Sequence, residues 1–472
     1  MESKMLSVEI IEKLVNTKVV RYALKFLTRY CPIDRQNRFE NALLLYSGMQ
    51  KKTCLKCYIA KIMVSPGLNI GASFFGMKKE KLKNLLKKQD FRRKFLLAYV
   101  KGIADFGLVK PFVPSAPLHL VWEVTHNCNL NCIHCSANAK KNNRKNELST
   151  EEAIKVIDIL EKFNVPCIEF SGGEPLTRPD IFRLIKYTND KGIYVAIATN
   201  GTLITKDIAR KMKENGVKYI RISLDSIYHE KHDDFRNMKG AFNKTLQGIK
   251  NVVETGGFYV IISTTVTKKN YKEIPEIIDL CEKLGVDSFT ASNFIPVGRG
   301  KEIVDIDLTP DEREEVLKFL YKKMQETSIT IYSTAPQISR VALQSSSSSE
   351  ILPSSFVVLR TKEKKFLLEY IGGCNCGRLF IRIMPNGDIV PCSYITEKVG
   401  NILEDDIEDI WKNNQLFKNL RNRKLLKPEC SNCEYVYHCG GCRARAYGYF
   451  QDFFAPDPGC INNKKYFDML KK

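Results

Sequence analysis

Eight residues, Cys128-Asn-Leu-Asn-Cys132-Ile-His134-Cys135, set three thiols at C-x3-C-x2-C spacing on one tight loop, just after the apolar run 119–124. Three thiolates hold three irons of an iron–sulfur cube and leave the fourth iron without a protein ligand. Electron-transfer clusters are closed by four cysteines, so three on one loop point to a small molecule bound at an open iron. Zinc and buried free thiols are the plainer alternatives, and the rest of the chain decides between them.

From 116 to 335 strand-like and helix-like segments alternate, the pattern of a parallel sheet with helices packed outside it. Strands are expected at 120–124, 167–170, 194–198, 219–224, 259–266 and 288–293, and a helix over 150–163 with Ser149 or Thr150 as its cap. Polar groups collect just after the carboxyl ends of these strands, where parallel α/β barrels build their sites. The second strand runs into Ser171-Gly172-Gly173-Glu174-Pro175. Two glycines let backbone approach a ligand closely, and a carboxylate beside them can accept from an ammonium group.

The cysteine loop followed by this GGEP turn resembles the radical S-adenosylmethionine (radical SAM) superfamily. The resemblance implies an α/β fold built on a partial (β/α)6, TIM-like barrel, in which catalytic Cys128, Cys132 and Cys135 hold a 4Fe–4S cluster. The open iron would chelate the amino and carboxylate groups of SAM. His134 stands where the family places an aromatic residue, a departure that a ring can accommodate. Further SAM contacts implied are Gly172, Gly173, Glu174 and Pro175 toward the amino group, Ser223, Arg236 toward the carboxylate, and Asn200 and Asp225 near the ribose. Ile295-Pro-Val-Gly-Arg299-Gly300 resembles the PxGR stretch that closes such barrels, while Cys167 and Cys281 read as core thiols.

In the region 336–472 a low-complexity run, Ser345 to Ser349, reads as a mobile loop. Segments 380–384 and 388–390 read as a hairpin turning at Pro385-Asn-Gly387-Asp388. Around them lie Cys374, Cys376, Cys392, Cys430, Cys433, Cys439, Cys442 and Cys460. Their spacing resembles the SPASM domain, a cysteine-rich extension of radical SAM enzymes that holds two auxiliary 4Fe–4S clusters. Where x3 is frequent in the last pair, Cys439-Gly-Gly-Cys442-Arg-Ala-Arg has x2, as in the branch that includes haem-biosynthesis enzymes and pyrroloquinoline quinone maturation. By the family's interleaved ligation, Cys374, Cys376, Cys392 and Cys442 would hold one cluster, and Cys430, Cys433, Cys439 and Cys460 the other. Were Cys374 not a ligand, the first cluster would keep an open iron for substrate. Zinc ribbons separate their pairs by about 15–20 residues, unlike the five between Cys433 and Cys439.

Residues 1–115 form a basic, helical extension outside the resemblance. They carry 23 Lys and Arg against 8 Asp and Glu, so +15 of the net +21 lies there. A basic surface attracts anionic lipid, acidic substrates or nucleic acid, of which nucleic acid is the least expected. Val8, Ile11, Leu14, Val15, Val19, Tyr22, Phe26 and Leu27 predict one amphipathic helix ending near Cys31-Pro32; 39–46 predicts a second, and 78–88 and 91–100 two short basic ones with Asp90 as a cap between them. Such helices pack on a neighbouring domain or lie on a membrane surface. The uncharged stretch 62–77 contains Pro66, Gly67 and Gly71 and is too short for a membrane span of about 18 apolar residues. Pro111, Pro114 and Pro117 mark a linker. Cys31, Cys54 and Cys57 offer three ligands, too few to expect a metal. Sixteen cysteines without a secretory signal read as metal ligands rather than disulfides, and the expected setting is the cytoplasm, with contact at the membrane surface through residues 1–115.

The resemblance implies one-electron cleavage of SAM, with an electron from a ferredoxin- or flavodoxin-type donor, to a 5′-deoxyadenosyl radical that removes a hydrogen atom from substrate. Auxiliary clusters offer an electron sink, so net oxidation is the expected outcome. A peptide or protein is the first expected substrate, a tetrapyrrole (decarboxylation or oxidation) the second, and a lipid or other metabolite the third. A non-enzymatic iron–sulfur carrier would have no need of Gly172 to Pro175.

Overall fold

The computed structural model describes residues 2–74, 76–88, 90–345, 351–354, 358–360 and 366–470. The serine run at 346–349 lies outside them. Ten strands make one sheet: β1 His119–Glu123, β2 Cys167–Ser171, β3 Tyr194–Thr199, β4 Val217–Ser223, β5 Tyr259–Val266, β6 Ser288–Asn293, β7 Thr330–Ser333, β8 Phe380–Ile383, β9 Asp388–Val390 and β10 Gly400–Asn401. Their order is β10-β9-β8-β1-β2-β3-β4-β5-β6-β7. From β8 to β7 every neighbouring pair is parallel. The β8–β9 and β9–β10 pairs are antiparallel, as short hairpin connections require.

The six expected strands are β1 to β6, but the sheet does not stop with them. β7 extends one edge, and β8, from the cysteine-rich region, pairs with β1 in the register Phe380↔His119 to Ile383↔Trp122. Side chains alternate across each strand. Leu120, Trp122, Ile168, Phe170, Val195, Ile197, Ile220 and Ile222 face the outer helices and form the main core with Val156, Ile157, Leu184, Ile249 and Ile277. The intervening Glu123, Ser171, Ala198, Ser223 and Ser263 face a cavity on the concave side. Helix Thr150–Lys162 opens with a reciprocal capping box between Ser149 and Glu152, and Ser149 is the cap.

The amino-terminal extension has its own core of Leu27, Phe39, Leu43, Tyr46, Val64, Leu86 and Leu97. Its first helix is two, Glu2–Val15 and Lys18–Leu27. The apolar spacing runs through the break, but the Thr17 side chain accepts from the Val20 amide and starts a new helix there. A 20-residue helix, Leu55–Phe74, continues through Pro66, and no helix among the described residues is long and apolar enough to cross a membrane. Helix Asp90–Phe106 docks on the barrel, with the Phe91 ring 4.6 Å from that of Tyr194 and Tyr99 stacked on Phe112. Asp90 stands at its first position, paired with Arg93. The proline segment after it is buried rather than a free linker: Phe112 N donates to Tyr370 O, Leu118 N to Leu379 O, and Trp411 Nε1 to Pro114 O.

Candidate active site

The cysteine loop leaves β1 and is gripped from both sides. Thr125 Oγ1 and His126 N both donate to Glu147 Oε1 at 2.7 Å, which turns the chain out of the strand. On one flank the glycine turn after β2 runs against it, Gly173 N donating to Thr125 O and Glu174 N to Asn127 O, each at 2.8 Å. A Cβ on Gly172 would lie 2.4 Å from Thr125 O, and one on Gly173 2.2 Å from Asn127 O. On the other flank, Gly298 (φ +56°) sits where a Cβ would meet Cys135 O at 2.3 Å. Arg299 donates from Nε to Cys132 O (2.7 Å) and from Nη1 to Ala139 O (2.8 Å). Sequence reasoning placed this glycine–arginine pair at the barrel's closure; it did not find that the guanidinium holds the cysteine loop by its carbonyls.

A cavity of about 240 Å³ opens at the carboxyl ends of the strands, lined by Cys128, Cys132, His134, Cys135, Gly172, Gly173, Asn200, Ser223 and Arg236 among others. Ser393 and Tyr394, which follow β9, complete its wall, a contribution that the spacing of motifs could not reveal. The His134 ring stacks on Phe235 with centroids 4.1 Å apart. Burial, with the charges of Arg236 and Arg299, holds its pKa well below the usual value, so it presents a neutral ring whose buried Nδ1 has no hydrogen-bond partner. Burial, reinforced by Glu174, pushes the Cys128 thiol up to about 12, and burial raises Cys132 as well.

Three expected SAM contacts, Glu174, Pro175 and Asp225, do not line this cavity. Glu174 turns away from it and fastens the neighbouring turns: Oε1 accepts from Thr199 Oγ1 (2.8 Å) and Leu176 N (3.2 Å), Oε2 from Asn200 N (2.8 Å). Burial raises its carboxyl to about 7 despite these donors. Asp225 is an ion-pair partner of Arg236 and accepts from Thr265 N at 3.0 Å, contacts that orient the arginine. Arg236 in turn reaches Cys132 Sγ at 3.7 Å. Asn200 does line the cavity, while its amide bridges to Asn129 of the cysteine loop (2.9 Å).

Three convergent thiols facing a polar cavity fit a cluster with one iron left open, and a cationic centre is what keeps buried thiols ionised. The carboxyl-terminal cysteines gather in two groups. Cys374, Cys376, Cys392 and Cys442 share a buried cluster with Ile295, Ile395 and Ala444. Cys430, Cys433, Cys439 and Cys460 surround a smaller cavity with Arg340 and Asp457. Both donor sets are of the kind that closes a 4Fe–4S cluster. Arg443 and Arg445 of the Cys439-Gly-Gly-Cys442 stretch face neither cavity: Arg443 donates to Phe453 O and Ala455 O, and Arg445 pairs with Asp307 and Asp457. Cys167 lies in strand β2 and Cys281 in a core helix.

Residues 122–281 match the model of the Radical SAM superfamily, and residues 374–434 match SPASM, an iron–sulfur cluster-binding domain. The AdoMet-dependent heme synthase of Methanosarcina barkeri is 37% identical over 348 residues, covering 74% of this chain and 97% of that protein. The mycofactocin maturase MftC of Mycobacterium tuberculosis is 28% identical over 353 residues, 74% of this chain and 83% of that protein. Among solved structures, Streptococcus suis SuiB bound to S-adenosylmethionine superposes with a TM-score of 0.63 at 20% identity, over 90% of this chain and 93% of that one.

Proposed function

The chain belongs to the radical SAM superfamily and carries a SPASM domain, and from that premise we propose that it oxidises a tetrapyrrole, removing carboxyl groups from its side chains. The observation that carries this reading is the 37% likeness to a haem synthase across nearly the whole of that protein. The cavity is compatible with it, since the Arg221 guanidinium, paired with Glu169 at 3.2 Å, lines its wall apart from Arg236, and a guanidinium suits carboxylate groups. Peptide substrates, which the sequence placed first, stay as the second reading through the likeness to the mycofactocin maturase.

When bound, the cluster and SAM supply one-electron cleavage of SAM and abstraction of a substrate hydrogen atom. The chain's own residues fix where this happens. Cys128, Cys132 and Cys135 hold the cluster, the Gly172–Gly173 turn offers backbone to the amino group of SAM, and Arg236, set by Asp225, faces its carboxylate. Ser223 and Asn200 are polar contacts for the remainder, His134 gives an uncharged ring, and Tyr394 closes the wall against water. Each carboxyl-terminal quartet holds one auxiliary 4Fe–4S cluster, and a ferredoxin or flavodoxin supplies electrons. The basic amino-terminal module, whose Ile59, Ile62 and Ile70 are exposed, touches an anionic membrane surface; salt-sensitive cosedimentation with phosphatidylglycerol vesicles is expected, and its absence removes that contact.

The test is anaerobic turnover of reconstituted protein with SAM and dithionite, against iron-coproporphyrin and against a peptide fraction of the same cells. Deoxyadenosine that rises with the porphyrin, matched by loss of carboxyl groups in its mass, is expected. A rise with the peptide fraction alone would replace the substrate and leave the enzyme class in place.

A further inference from the structure

The amino-terminal module contains a second kind of metal-binding geometry, far from both cysteine-rich regions in sequence. A short strand pair, Tyr30–Cys31 with Gln36–Asn37, folds the chain back on itself and puts Asp34 in the turn beside Cys31. Cys54 and Cys57 lie at the start of helix Leu55–Phe74. One donor atom from each of Cys31, Asp34, Cys54 and Cys57 falls within 4.8 Å of the other three. The Cys31 and Cys54 sulfurs are 3.5 Å apart, and Cys31 Sγ lies 3.7 Å from Asp34 Oδ2. Zinc–sulfur bonds of about 2.3 Å at a tetrahedral centre place neighbouring ligand atoms about 3.8 Å apart. A disulfide needs about 2.05 Å, and an iron–sulfur cube spreads its thiolates over a larger body than one ion does.

We propose that Cys31, Asp34, Cys54 and Cys57 form a closed, structural zinc site. Two observations beyond the spacing favour it. The linear pattern is C-x2-D-x19-C-x2-C, which is the zinc-ribbon arrangement of two knuckles about 15–20 residues apart with a carboxylate in place of one thiolate; counting cysteines alone hides it. The donors are also held from behind, as ligands of a built site are. Thr53 Oγ1 donates to Asp34 Oδ2 at 2.9 Å, the Cys54 amide reaches the same carboxylate at 3.3 Å, and Asn41 Nδ2 donates to Cys57 Sγ at 3.6 Å. Cys31 and Cys57 are buried and Asp34 and Cys54 half-buried. Four protein donors leave no position for substrate, so the ion's work is to tie the hairpin to the long helix, in a module whose own hydrophobic core is small.

The experiment is metal analysis and zinc K-edge absorption on the full chain, purified anaerobically with its iron. About one zinc per chain, bound by three sulfurs and one lighter atom, is the expected result. Cys57→Ser should lose the zinc and keep the full iron content, which also reports that the barrel and carboxyl-terminal region have folded. Asp34→Cys should keep the zinc and change its shell to four sulfurs. The proposal is overturned by folded, iron-loaded protein with substoichiometric zinc, by zinc that Cys57→Ser retains, or by a Cys31–Cys54 disulfide in the intact mass.

Discussion

Whether a carboxylate at the end of a strand faces the ligand or its own scaffold is decided by a single side-chain direction, and here Glu174 and Asp225 both face the scaffold. Asp225 and Arg236 are both buried, so Asp225→Asn leaves a guanidinium without its counter-charge, a change that costs about 3–5 kcal/mol in buried pairs. That cost falls on the fold; for SAM, misplacement of the guanidinium is expected to weaken binding by about tenfold, or about 1.4 kcal/mol, with the iron content kept, and equilibrium binding of SAM to the reconstituted variant checks it. Next to this pair, His232 Nδ1 accepts from Asp225 N at 3.2 Å. Burial first, then the charge of Arg236, depresses its pKa to about 3. The unfolded chain therefore takes up a proton near pH 6.5 that the folded chain refuses. Stability from this group is complete above about pH 6.5 and is lost as pH falls toward 3, by about 1.4 kcal/mol per unit. Thermal midpoints from pH 7.5 to 5.5 should fall for the wild type and fall less steeply for His232→Gln, which keeps an acceptor without titrating. Equal slopes would show that another group controls the acid limb.

At the scale of elements, the cysteine loop has no regular structure of its own and takes its shape from the two glycine turns that flank it. Gly173→Ala must move the Asn127 carbonyl, since the added carbon would sit 2.2 Å from it. On the ligand sets proposed above, the expected result is loss of the iron assigned to Cys128, Cys132 and Cys135 with that assigned to the carboxyl-terminal cysteines retained, read as a partial fall in iron per chain and loss of SAM cleavage. An unchanged iron content would mean that the loop adjusts without its glycine. The same closeness explains which parts of the chain were legible in advance. Strands β1 to β6 and the helices between them announce themselves by local alternation and spacing, and the cysteine and glycine motifs by residue type. The helix Leu55–Phe74 was hidden because Pro66 and Gly67 are ordinarily helix breakers, and the break at Thr17 because apolar spacing continues across it. Asp34 was invisible beside three cysteines because its role depends on a turn that brings it back to Cys31. The clamp by Arg299 was equally hidden, being made to main-chain carbonyls that carry no mark in sequence.

For the whole molecule, the consequential pairing is the most distant one, β8 against β1, which makes the cysteine-rich region part of the barrel's own sheet. The hairpin of β8 and β9 also brings Tyr394, which follows β9, to the cavity, so the cysteine-rich region completes the wall of the candidate site. A buried ion pair stands at this seam: Arg382 of β8 contacts Glu123 of β1 at 2.9 Å and donates to Ile395 O at 3.0 Å. Both side chains are almost inaccessible. Removing one partner of such a pair costs about 3–5 kcal/mol, chiefly because the other charge is left unpaired, whereas neutralising both costs far less. Arg382→Met is therefore expected to lower the thermal midpoint clearly, and adding Glu123→Gln to recover much of the loss, since a neutral amide no longer requires the cation. Calorimetry of the two variants beside the wild type measures the difference. Should the double variant be no more stable than the single one, the seam depends on the hydrogen bonds of Arg382 to the Ile395 turn, and the charge on Glu123 is incidental to it.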